Sequence, residues 1–192
     1  MKYILTLAAF AAALGLMSAS APAVDNKSFS LVPSSDECVE GASARATVST
    51  LGGIQTLHIE AKGLPPLVTF TVFVIQVPQA PFGLAWYQGD IKTDSGGVGV
   101  GNFTGIFSIE TFIVAPGVAP APVVFPTDAS SNPPTPPVQL YHLGMWFDSP
   151  DDAAAAGCPG TVTPFNGDHT AGVQVLNTSN FPKRHGPLRD ID

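Results

Sequence analysis

Apolar and polar residues alternate with a period of two along several stretches of the chain, the spacing of a strand with one buried face. Residues 55–61 show it most cleanly, with Leu57, Ile59 and Ala61 on one face and His58 and Glu60 on the other. Gly63-Leu64-Pro65-Pro66 ends that run, because proline has no N–H to give to a ladder. Leu67 to Val77 is apolar on both faces, which predicts a central strand covered on both sides, and Pro78 and Pro81 close it. Residues 85–93 and 98–107 flank Asp94-Ser95-Gly96-Gly97, whose Asp and Gly suit a tight hairpin turn with a left-handed position. Phe107 to Val114 extends the second arm, and Val138 to Phe147 and Val173 to Leu176 read as further strands.

One short helix is expected over about 149–157. Ser149 is the N-cap, Pro150 takes the first helical position, and Asp151 and Asp152 lie in the positive first turn. Alanines 153–156 favour helix, and Gly157 suits the left-handed cap. Residues 115–138 hold eight prolines and no periodicity, so they read as a long Pro-rich surface excursion and not a second domain. Six to eight short strands, one helix and many Gly/Pro turns predict an all-β fold, an antiparallel β-sandwich or barrel.

Composition adds a compartment. Lys2, the apolar run from Ile4 to Leu16 and the small residues ending in Ala21-Pro22-Ala23 make residues 1–23 a signal peptide, with cleavage expected after Ala23. The run is about 13 residues, short of the roughly 20 that cross a bilayer, so no membrane span is expected after signal removal. Residues 24–192 then form a single β-rich domain with a flexible C-terminal tail. Without Lys2 its seven bases face fifteen acids, a net charge of −8. The bases are scattered apart from Lys183-Arg184-His185, which argues against a nucleic-acid partner and reads as a solvated tail. Two cysteines remain, Cys38 and Cys158. In an oxidising compartment they are expected to pair, fastening the two ends of the fold.

Candidate chemistry is sparse. Gly96, Gly97, Gly99, Gly101 and Gly105 match neither a dinucleotide fingerprint nor a P-loop, and no helix follows them. Most of them share one face of a strand, on which a ring such as Trp86 or Tyr87 would lie. His58, His142, His169 and His185 have no metal-ligand spacing, so no metal or cofactor is expected. His142 shares its strand face with Trp146. It is either a satisfied histidine beside a core aromatic or, if that face is open, part of a ligand surface. Asp148 ends the same strand, and Asp168-His169 follows the turn Asn166-Gly167, so an acid/base pair of Asp148 and His169 would require converging loops. No serine sits in a nucleophile elbow. Glycan acceptor motifs occur at Asn26, Asn102 and Asn177, meaningful only in a eukaryotic source.

Gly63-Leu64-Pro65-Pro66 leading into a Val/Phe strand, with Gly89-Asp90-Ile91-Lys92-Thr93-Asp94-Ser95-Gly96-Gly97-Val98-Gly99, resembles small exported bacterial β-sandwich proteins. Similar layouts occur in extracytoplasmic anti-sigma domains and, more loosely, in copper/zinc superoxide dismutases. The dismutase likeness would place histidines in the strand after the Gly-Pro turn. Here that strand is Thr69-Phe70-Thr71-Val72-Phe73, so the copper site does not carry over.

The leading expectation is therefore a secreted or periplasmic, non-catalytic module for an extracellular or cell-surface partner, with Trp86, Tyr87, His142, Trp146, Asp148 and His169 as candidate ligand contacts. Two alternatives stand beside it. One is an enzyme with a convergent, metal-assisted site around His142, Asp148 and His169; the other is a structural cell-wall or coat component.

Overall fold

The computed structural model describes residues 25–35, 38–105, 107, 113–114, 140–163, 170–189 and 191. Among these the strands are β1 (Asp25–Pro33), β2 (Ser43–Leu51), β3 (Ile54–Lys62), β4 (Thr69–Ile75), β5 (Leu84–Lys92), β6 (Gly99–Gly105), β7 (Ile113–Val114), β8 (His142–Phe147) and β9 (Gln174–Asn177). The helix α1 (Pro150–Ala155) lies between β8 and β9. All strand pairs are antiparallel, and their order across the sheet is β6-β3-β2-β1-β9-β8-β4-β5-β7. The Pro-rich excursion expected over 115–138 and the signal peptide expected over 1–23 lie outside the described residues.

The sheet curls into a nearly closed barrel, which decides between the two expected architectures. Strand β1 turns the corner: Asp25–Leu31 pair with β2, and Val32 and Pro33 pair with β9. The seam lies between β5 and β6. These strands share the expected turn, where Asp94 Oδ1 accepts from the N–H groups of Gly96 (2.8 Å) and Val98 (3.0 Å) and Gly97 takes φ +74°. Past the bridge Thr93–Gly99, however, the two arms pair with other neighbours, β5 with β4 and β6 with β3. The seam closes by side-chain packing. A Cβ on Gly101 would stand 2.7 Å from both Ile91 and Phe103, and one on Gly89 2.7 Å from the Phe103 ring. The glycine face thus receives Ile91 and Phe103, correcting the expectation of Trp86 or Tyr87.

Inside the barrel lie Leu31, Val48, Leu57, Ile59, Phe70, Val72, Val74, Ile91, Leu143, Met145 and Phe147, with the Phe70 and Phe147 rings 4.9 Å apart. Leu57, Ile59 and Ala61 face inward as their alternation predicts, and β4 is buried on both faces from Phe70 to Ile75. Two strands went unpredicted, β1 and β2. The inward set of β2 is Ala44, Ala46 and Val48 between polar neighbours, and alanine contributes little strand signal.

One end of the barrel is closed by α1 and the disulfide. Ser149 Oγ accepts from Asp152 N–H (3.1 Å), Pro150 starts the helix and Gly157 takes φ +80° beyond it, as expected. Ala153 packs into the main core beside Cys38 and Cys158, whose Cα atoms are 5.0 Å apart in a bonded pair. The opposite end is closed by the C-terminal segment, expected as a flexible tail. It is tied down because it carries two core residues, Leu188 and Ile191, and its Leu188 N–H reaches Tyr141 O at 3.1 Å.

Two stability outcomes follow. The disulfide closes a segment of 120 residues, so Cys38→Ser with Cys158→Ser should lower unfolding free energy by about 2–5 kcal/mol in urea denaturation. Gly101→Ala should cost roughly 1–3 kcal/mol by forcing Ile91 and Phe103 from the seam, whereas Gly96→Ala in the exposed turn should cost less.

Candidate functional site

Strand β8 has no solvent face. Leu143, Met145 and Phe147 point into the barrel, and His142, Gly144 and Trp146 lie on the outer side, where all three are also covered. His142 is the polar member of that covered set, and burial of a ring with two nitrogens requires two partners. Its Nδ1 lies 2.8 Å from Thr178 Oγ1 and its Nε2 3.1 Å from the Lys183 carbonyl oxygen. A carbonyl only accepts, so Nε2 carries the proton. Thr178 Oγ1 also accepts from Leu143 N–H (3.2 Å) and lies 3.3 Å from the Leu143 carbonyl oxygen. Both ring nitrogens are thus satisfied. Desolvation drives its pKa below the ordinary 6.5, against the opposing influence of the backbone bonds to Lys183, Pro182 and Thr178.

Trp146 belongs to a second, smaller core on the outer face with Phe73, Ile75, Ala85 and Ala171. Its ring meets Phe73 edge-on at 5.5 Å and Phe82 at 5.2 Å, and Phe73 in turn meets Tyr87 at 5.8 Å. The face of His142 and Trp146 is therefore packed and presents no ligand surface. Trp86 and Tyr87 are exposed, at 36% and 43%. They flank no common platform, because Trp86 pairs across from Val74 and Tyr87 from Phe73, on opposite sides of the sheet. Burial first, then the neighbouring Asp90 and Asp148 carboxylates, raise the pKa of the Tyr87 hydroxyl.

Asp148 accepts from Thr71 Oγ1 at 2.9 Å. It follows the last residue of β8 and His142 is the first, so about 20 Å of extended chain separates them. Residue His169 lies outside the described residues. The structure thus does not bring His142 and Asp148 together. Among the described residues no group of three His, Cys, Asp or Glu side chains is placed to hold a metal ion.

What the structure assembles instead is a cleft of about 560 Å³ at the barrel end opposite the disulfide. One wall is the β4–β5 loop, with Gln76, Val77, Pro81 and Gly83; the other is Tyr141 and the C-terminal bases Lys183, Arg184, His185 and Arg189. Three contacts hold the basic wall to the start of β8. They are the His142–Lys183 bond, the Leu188–Tyr141 bond, and the approach of Gly186 to Tyr141, where a Cβ would stand 2.0 Å from the carbonyl oxygen. Lys183, Arg184 and His185 are exposed, as expected, yet they rim a concavity on an anchored backbone. The one signal for this in the sequence was that basic cluster; its opposing wall comes from about a hundred residues earlier in the chain.

A second concavity of about 550 Å³ lies on the β1–β2–β3–β6 side, lined by Arg45, Glu60, Lys62, Val98 and Val100 among others, with bases and acid mixed. On this outer face His58 donates from Nδ1 to Asn102 Oδ1 at 2.7 Å and lies 3.3 Å from Glu60, and these two bonds raise its pKa. Of the glycan acceptor motifs, Asn26 and Asn102 are exposed. Asn177 is fully buried, its Nδ2 donating to Gln174 Oε1 (2.8 Å) and Ser34 Oγ (3.3 Å), so the fold has no room for a glycan there.

No protein-family model matches the chain, and neither a curated protein nor a solved structure is significantly similar to it. The likeness to small exported bacterial sandwich proteins rests on the turn motifs alone.

The state of His142 has a pH signature. Above pH 6.5 the imidazole is neutral in the folded and unfolded chains alike. Below it the unfolded chain takes a proton that the folded chain refuses, so unfolding free energy falls with pH until the lowered native value is passed. His58 has the opposite sign, its contribution being present in acid and lost as pH rises through its raised value. Urea unfolding of His142→Gln should show a shallower loss below pH 6.5 than the parent, whereas His58→Gln should not.

Proposed function

We propose that this chain is an extracytoplasmic, non-catalytic binding module whose ligand sits in the cleft between the β4–β5 loop and the C-terminal segment. The observation that carries this reading is the cleft itself. It is large enough for a small organic ligand and pairs an apolar wall with a few convergent polar groups. Export by residues 1–23 and a structural disulfide suit a protein that works outside the cytoplasm, where such bonds persist. No helix among the described residues is long and apolar enough to cross a membrane. The binding reading is favoured over the enzyme reading at His142, a buried ring about 20 Å along the strand from Asp148.

A panel of monosaccharides, short peptides and metabolites screened by ligand-observed NMR against the mature chain tests the proposal. Binding should be lost in Val77→Trp, which fills the cleft, and kept in Trp86→Ala, whose ring is exposed and absent from the cleft lining. Binding that survives Val77→Trp and disappears in Trp86→Ala would move the site to β5.

A further inference from the structure

The cleft has one-sided electrostatics. Lys183, Arg184, His185 and Arg189 all line it, and among the described residues none that lines it is acidic. This stands out in a chain with eight Lys and Arg against fifteen Asp and Glu, since three of those eight bases lie on this one wall. Like charges gathered on a short segment repel one another, and an anion bound among them relieves that repulsion. The segment cannot relax the repulsion freely by swinging away, because the buried His142 holds the Lys183 carbonyl and Tyr141 holds Leu188. Arg184 adds a planar guanidinium fork that matches the two oxygens of a carboxylate, sulfate or phosphate. The facing wall supplies different chemistry. Val77 and Pro81 give apolar contact, Gln76 gives an amide, and Tyr141 gives a half-buried ring beside the bases.

We infer that the cleft binds a small organic anion: a carboxylate, sulfate or phosphate ester on a body of about sugar-ring size, the oxyanion against Lys183 and Arg184 and the ring against Tyr141, Val77 and Pro81. This rests on the cleft reading above and adds the ligand's charge. A bare inorganic ion would use the bases and leave the apolar wall idle, and a neutral sugar would use the wall and leave the bases idle.

The test is isothermal titration of the mature chain with glucuronate, glucose 6-sulfate, glucose 6-phosphate, glucose and inorganic sulfate, with anionic phosphatidylglycerol vesicles assayed by co-sedimentation. At least one charged sugar should bind roughly tenfold or more tightly than glucose and than inorganic sulfate, the worth of a single charge-assisted hydrogen bond. Lys183→Ala with Arg184→Ala should remove that advantage. Both side chains are exposed, so the variant should keep the parent's unfolding curve. Val77→Trp should abolish binding of the charged sugar, and Lys27→Ala, outside the cleft, should leave it unchanged.

If glucose binds as well as the charged sugars and Val77→Trp abolishes both, the anion inference falls and the cleft reading survives. Binding of charged sugars that persists in Val77→Trp would overturn both. Equal response to inorganic sulfate or to vesicles, erased by high salt, would reduce the bases to a diffuse electrostatic patch and overturn the inference. So would the absence of binding by every charged sugar at millimolar concentration.

Discussion

The hydrogen bond from His142 Nε2–H to the Lys183 carbonyl joins the first residue of β8 to a segment forty-one positions further along the chain. It exists because β8 is buried on both faces, one inside the barrel and one beneath the outer aromatic layer. A polar ring in that position is tolerated only when both nitrogens find partners, since an unmade hydrogen bond there would cost about 1–3 kcal/mol. Thr178 and Lys183 satisfy it, and both belong to the stretch that follows β9. That bond, the Leu188–Tyr141 contact and the burial of Leu188 and Ile191 turn the chain's last residues into the closure of one barrel end. The bases on that closure thereby acquire a fixed position opposite the β4–β5 loop.

The two barrel ends are stabilised by different means. At one, Cys38 and Cys158 join the β1–β2 connection to the turn after α1, with Ala153 packed beside them. At the other, closure is non-covalent, through the His142–Lys183 and Leu188–Tyr141 bonds and the burial of Leu188 and Ile191. The seam between β5 and β6 divides the work differently again. Hydrogen bonding there stops at the Thr93–Gly99 bridge, and Ile91 and Phe103 fill the space that glycines at 89 and 101 leave open. A nearly closed barrel of this kind keeps a packed wall under the cleft, with loops forming its rim.

Much of this was legible from local chemistry. The alternation in β3, the two-sided burial of β4, the Asp94 turn and the capping of α1 are short-range patterns, and each appears where its residues require it. The pairing of Cys38 with Cys158 was anticipated from the count of two cysteines and an expected oxidising compartment. The arrangement of the seam was not legible, because sequence neighbours β5 and β6 look like an ordinary hairpin and only the tertiary pairing with β4 and β3 draws them apart. Strands β1 and β2 were hidden by small inward residues such as Ala44 and Ala46. The cleft was hidden for a different reason. Its walls are far apart in sequence, and Leu188 and Ile191 are single apolar residues in a charged, proline-punctuated stretch with no period to announce burial. His142 was left between a ligand contact and a satisfied core histidine, and the coverage of its face by residues distant in the chain favours the second.

The central claim is that a neutral, buried His142 anchors the basic wall of the cleft. Long-range ¹H–¹⁵N NMR of the imidazole resonances reads this directly, because the two ring nitrogens separate according to which carries the proton. The account predicts that His142 is the Nε2–H tautomer, that its Nε2 proton is protected from exchange, and that the ring stays neutral as pH is lowered through 6.5. A His142 that titrates near 6.5 with a rapidly exchanging Nε2 proton would contradict it.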